Sequence, residues 1–206
     1  MSQIPELMGG RALSHGIAMM VDHGGTGKAR MHVGGQAATK TAASAALTDT
    51  TDETAFDSLV IPANSLVAGS TIRVKAMGTV TAKTSTPEMI ARLRLGEAST
   101  TLVARNLICE NSATSVNVGD VFYFDAVIQV RTVSVTGGAD GTAVGMVQFQ
   151  NTDAPGTGFQ SKLTGSFTLK TQVRNTISVT GQWSAASASN SCRSDIFLVD
   201  IVNPST

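Results

Sequence analysis

The chain has 206 residues and a mass of 21.2 kDa, with 15 basic and 15 acidic side chains and a formal net charge of zero. Charged residues are 15% of the total, against roughly 25% in an ordinary soluble domain, so the positive excess that drives nucleic-acid binding is absent. No apolar run approaches the roughly 18 residues that let a helix span a bilayer, and an apolar content of 42% excludes wholesale disorder.

The first quarter differs in character from the rest. All nine aromatic residues lie at Phe56 or later, whereas the three histidines (His15, His23, His32) lie at or before His32. Glu6 and Pro5 sit where a secretory leader would be basic, and the apolar stretch 16–21 is too short for a leader core, so synthesis and assembly in a cytoplasm are expected. Gly9-Gly10, Gly24-Gly25 and Gly34-Gly35 interrupt any regular element. Yet Ile4, Leu7, Met8, Ile17, Met19 and Met20 are apolar and favour burial. Residues 1–52 therefore read as an extended arm that orders on another surface, with those six residues as its anchors. That surface is the rest of its own chain, a second copy, or a different protein.

From residue 53 the pattern is β throughout. Residues 53–61 end at Pro62-Ala63-Asn64, a turn signal. In 70–82, Ile72, Val74 and Ala76 share one face and Arg73 and Lys75 the other. Residues 87–92 also fit a helix start, with Thr86 as cap and Pro87 first. The alternation of Met89, Ala91, Leu93 and Leu95 with Arg92 and Arg94 favours a strand with the arginines outward. A strand over 101–108 follows. The clearest is 121–133, where Phe122, Phe124, Ala126, Ile128 and Val130 alternate with Tyr123, Asp125, Gln129 and Arg131. Further strands are expected over 143–151, 162–171, 173–181 and 195–202. Eight or nine strands with Gly, Asn and Asp turns, and no helix, predict an all-β fold: an antiparallel two-sheet sandwich over 53–206, jelly-roll-like, preceded by the arm.

The candidate chemistry is thin. Residues 23–29 resemble a phosphate loop only superficially, because Asp22 replaces its first glycine and Ala29 replaces the Ser or Thr that would hold magnesium. The histidines are too widely spaced for a zinc site. No Gly-x-Ser-x-Gly elbow occurs, and every histidine lies in the arm. The densest acidic run, Asp49-Thr50-Thr51-Asp52-Glu53, reads as a solvated hinge rather than a calcium loop. Cys109 and Cys192 lie in or beside apolar segments and read as buried reduced thiols, with a disulfide possible only between neighbouring strands. No catalytic residue, metal site or cofactor is expected.

Residues 59–81 (LVIPANSLVAGSTIRVKAMGTVT) carry Ile61-Pro62-Ala63-Asn64, then Leu66 and Gly69, between two strands. Arg92-Leu93-Arg94-Leu95-Gly96 follows. This arrangement resembles structural proteins of tailed bacteriophages, including capsid decoration (cement) proteins and some tail or fibre proteins. The resemblance implies a non-enzymatic β-sandwich subunit working as a homo-oligomer, here expected as a homotrimer, on a virion surface. Its expected partners are the major capsid protein and other copies of itself, with no nucleic acid and no membrane. The alternative is a tail or fibre-type protein that touches a host-surface glycan or receptor through loops 137–141 and 154–158. A secreted carbohydrate-active sandwich enzyme is a third reading, disfavoured by the expected lack of a leader.

Overall fold

Alternation of side chains along the strands decides how the layers form. The computed structural model describes residues 17–22, 29–34, 36–39, 41–84, 88–113, 116–151 and 160–204. Its strands are β1 (Ile17–Asp22), β2 (Ala29–Gly34), β3 (Gln36–Thr39), β4 (Leu47–Thr48), β5 (Thr54–Ile61), β6 (Thr71–Ala82) and β7 (Met89–Glu97). After a 3-10 turn (Leu102–Ala104) come β8 (Asn106–Ala113), β9 (Val121–Thr132), β10 (Gly141–Asn151), β11 (Gln160–Leu163), β12 (Phe167–Leu169), β13 (Asn175–Trp183) and β14 (Ser191–Val202). That turn is the one helical element among the described residues.

Two antiparallel sheets form the sandwich. The larger runs β11-β10-β9-β6-β14-β3, with β12 also on β10 and β4 also on β14; the smaller runs β5-β13-β7-β8. Numbering β4, β5, β6, β7, β8, β9, β13 and β14 from one to eight gives 6-3-8-1 in one sheet and 2-7-4-5 in the other. This is the strand order of a jelly roll. Strands β10, β11 and β12 extend the larger sheet beyond it. The first strand of the roll, β4, comes from the stretch whose composition reads as an arm. The expected junction at 52/53 thus falls between two strands of one roll.

The inward faces of the long strands are mainly apolar. Phe122, Phe124, Ala126, Ile128 and Val130 of β9 and Ile72, Val74 and Ala76 of β6 are buried, as their alternation predicts. They face Met89, Ala91, Leu93 and Leu95 of β7 and Ile177, Val179 and Trp183 of β13, which are also buried. Each large side chain so removed from water contributes about 1.5–3 kcal/mol. Phe56 of β5 stacks on Phe122 across the layers, ring centroids 5.6 Å apart. On one flank, Asn106 Nδ2 donates to the Thr168 carbonyl and Asn111 Nδ2 to the Gln150 carbonyl, both at 2.8 Å. These two amides tie edge strand β8 to the larger sheet.

Two strands depart from expectation. The segment 101–108 begins as a 3-10 turn, because Arg94 draws it over the smaller sheet through hydrogen bonds from Nη1 to the Val103 and Arg105 carbonyls. The strand expected over 162–171 splits into β11 and β12. Between them Thr164 Oγ1 accepts from the Gly145 amide at 2.6 Å. The turn from β5 to β6 is as predicted: Pro62 follows the strand, and Asn64 (φ 59°) and Gly69 (φ 87°) take left-handed conformations.

Candidate functional site

Of the six expected anchors, Ile4, Leu7 and Met8 lie outside the described residues, as do His15 and His23. Ile17, Met19 and Met20 lie on β1, which pairs with β2 in a separate two-stranded hairpin. The register sets Ile17 opposite Gly34, Met19 opposite His32 and Met20 opposite Met31. The structure thus places three of the anchors on one strand that is joined to neither sheet by strand pairing.

The chain after this hairpin runs along β14. Strand β3 pairs with Leu198, Val199 and Asp200, and β4 with Ser191 and Cys192. Between them the Ser44 amide donates to the Ser194 carbonyl at 2.8 Å, and the Ser194 amide to Ser44 Oγ at 2.9 Å. Leu47 is buried, and its carbonyl accepts from Trp183 Nε1 at 3.2 Å. The lack of a side chain at Gly181 makes room here. A Cβ at that position would lie 2.3 Å from Phe56 Cζ and 3.1 Å from Leu47 Cδ2. Asp49 holds a left-handed backbone (φ 51°), which Asp tolerates, and turns the chain toward the smaller sheet. Gln182 Nε2 then donates to the Thr51 carbonyl at 2.6 Å.

The segment ends in an ionic lock. Glu53 accepts from Arg94 through Nε (2.6 Å) and Nη2 (2.8 Å), and from Thr180 Oγ1 (2.6 Å). Arg92 Nη1 lies 3.4 Å from the same carboxylate, while Arg92 Nε reaches Glu110 at 2.6 Å and its Nη1 donates to Gln182 Oε1 at 2.7 Å. The Glu53 side chain is 5% exposed and that of Arg94 10%. Both arginines leave the inter-sheet core as predicted. They are not solvated, because Glu53 and the 98–105 turn cover them. Burial pushes the Glu53 carboxyl up, but the hydrogen bonds from Arg94 and Thr180 and the two guanidinium charges outweigh it and hold it below its ordinary value. The acidic run read as a solvated hinge thus contains the buried carboxylate that fastens the segment. Sequence reasoning missed this residue; the available signal was the Arg92/Arg94 pair on a strand whose other face is core.

The cysteines sit in different sheets, Cys109 on β8 and Cys192 on β14, and both are free and buried. Burial pushes the thiols up to about 11 and about 12 respectively. A thiol-specific aromatic disulfide at pH 8 should label neither residue in the folded protein and both in denaturant, since the thiolate is the reactive form. Rapid labelling of the native protein would contradict this burial.

At the end of the sandwich where β7, β12 and β13 terminate or begin, a cavity of about 160 Å³ lies among Gly96, Glu97, Arg105, Asn106, Lys170 and Asn175. Lys170 Nζ reaches Glu97 at 3.3 Å, and Ser99 Oγ donates to Glu97 at 2.6 Å. Among the described residues no group of His, Cys, Asp and Glu is arranged to hold a metal ion, and no helix is long and apolar enough to cross a membrane.

No family model matches the chain. No curated protein matches it either. A solved structure of infectious bursal disease virus, Gx strain, matches with 9% identity and a TM-score of 0.29. The match covers 92% of this chain and 48% of that one, so this chain spans about half its length.

Proposed function

We propose that the protein is a non-enzymatic structural subunit of a virion, of the decoration type, which binds an assembled shell and stiffens it. The observation that carries this reading is the path of the N-terminal stretch. It lies along the rim of a jelly roll by strand addition, is locked at Glu53, and is preceded by the β1–β2 hairpin, which carries Ile17, Met19 and Met20 and pairs with neither sheet. Such a layout lets a rigid body carry an apolar arm to a neighbouring surface. At about 25 cal/mol per Å², a few hundred Å² of apolar contact per copy contributes several kcal/mol before ordering costs. Repetition over a lattice multiplies that. An apolar row on the outer face of the larger sheet also suits packing between copies. Leu163, Met146 and Val127 are exposed and in cross-strand register across β11, β10 and β9. The major capsid protein is the proposed partner and a homotrimer the proposed state.

The test is co-sedimentation of the full chain with purified phage shells. Replacing Ile4, Leu7 and Met8 together by serine should empty the shells while leaving the melting temperature of the free protein unchanged. Full occupancy by that variant would refute the arm mechanism.

A further inference from the structure

We infer that the outer face of β9, β10 and β11 is a two-fold contact with a second copy of this chain, centred on Met146. The inference deepens the packing between copies proposed above and rests on that reading for its partner, while shell binding plays no part in it. The eight strands of the roll form its two sheets without β10, β11 and β12. These extra strands add Ala143, Val147 and Leu169 to the core. They also carry Met146, 50% exposed, and Leu163, 73% exposed, on the side turned away from it. Register sets Leu163 beside Met146 and Met146 beside Val127, itself 36% exposed. A contiguous apolar row of this kind marks an interaction surface.

Charge fixes where the second copy sits. Continued across β6 and β14, the row meets Arg73 and then Asp200. The adjacent row holds Asp125, paired with Lys75 at 3.0 Å. A contact centred on β6 would strip water from all four ions, at a cost their pairing does not repay. On β10 the outward residues Val144, Met146, Gln148 and Gln150 are uncharged. Lys162 of β11 is in register with buried Val147 and so lies on the opposite side. An axis parallel to β10 and passing over Met146 lays each row on the same row of the second copy, with β9 over β11. Met146 then meets its own counterpart, and Leu163 meets Val127. Gln148 meets Gln148, whose amide both donates and accepts, and Ser161 brings a hydroxyl donor to Asp125. Depleted charge around a methionine is the composition of an interface centre. Three strands about 4.8 Å apart give a few hundred Å² of contact per copy. That is below the roughly 800 Å² per partner of a standard interface, so a single contact is weak. A two-fold contact does not close a three-fold ring, so it joins one oligomer to the next.

Sedimentation equilibrium of the full chain from about 1 to 500 μM tests the contact. The mass should double with a Kd of about 10–100 μM, whatever the size of the starting unit. Met146→Lys sets two cations against each other on the axis and should raise that Kd about tenfold or more without moving the melting temperature. Leu163→Lys, at the most exposed apolar position, should also weaken the doubling. Both native thiols are buried, so an introduced cysteine reports alone. Under mild oxidation Met146→Cys should form a disulfide between copies, and Leu163→Cys should link to Val127→Cys faster than either links to itself. Val103→Cys, at a 63% exposed position in the turn over the smaller sheet, should stay unlinked. Three results would overturn the proposal: a constant mass up to about 500 μM, undiminished doubling in both lysine variants, or Val103→Cys linking as fast as Met146→Cys. A chain of constant mass that still decorates shells sinks this contact alone, whereas normal doubling with empty shells upholds it and sinks the decoration reading.

Discussion

Glu53→Gln should destabilise the protein by about 3–5 kcal/mol, the usual effect of removing one partner of a buried pair. The amide keeps a hydrogen bond to Thr180 but leaves the Arg94 guanidinium, 10% exposed, without a counter-charge. Chemical denaturation at pH 7 measures the loss. The same carboxylate sets an acid limit. Its folded pKa lies below the ordinary 4.5, so the proton binds more tightly to the unfolded chain. The stabilisation is complete above about 4.5 and disappears as pH falls through the lower folded value. The variant should therefore lose less stability than the wild type on acidification below that point. A double change, Glu53→Leu with Arg94→Met, should recover most of the loss, because apolar pairs often replace buried ion pairs at little cost. A Glu53→Gln protein within about 1 kcal/mol of wild type, with an unchanged acid limb, would show that the lock is decorative.

Trp183→Ala should cost a similar amount, about 3–5 kcal/mol, through the cavity it leaves. Trp183 is fully buried and sits where the core meets the 41–53 segment. Its loss also strands the Leu47 carbonyl. Trp183→Phe separates the two effects: it keeps most of the packing and removes the Nε1 donor, for about 1–3 kcal/mol. Hydrogen exchange gives the local readout. In both variants the Ser44 amide, bonded to the Ser194 carbonyl, should lose protection ahead of the amides of β9. Uniform loss across the molecule would mean that the segment is not a separately stabilised unit.

The sandwich was legible because its strands alternate. Period-2 patterning in β6, β7 and β9 follows from one buried face, and the structure buries those faces. Turn chemistry at Pro62, Asn64 and Gly69 was equally plain, since few residues adopt the required backbone. The polar layer on the outer face of the smaller sheet was not legible. Glu53, the Arg92/Arg94 pair, Arg105 and Ser178 come from separate stretches of the sequence, and only the alternating arginine pair hints that they meet. The role of 36–48 was hidden for a related reason. Small residues such as Ala38, Ala45 and Ala46 carry little apolar area, so neither period nor composition marks a strand that depends mainly on backbone pairing.

That pairing has a temporal consequence. Ser44 and Ser194, which exchange hydrogen bonds, are 150 residues apart. At a synthesis rate of about 5–20 residues per second, β4 waits roughly 8 to 30 s before β14 leaves the ribosome. During most of this interval the growing polypeptide can pair β6 with β9, β9 with β10 and β7 with β8, but it lacks β13 to join the smaller sheet and β14 to complete the rim. Two chains that reach β14 together offer each other the same unfilled groove, so exchange of the N-terminal strand between them is the side reaction expected of this layout.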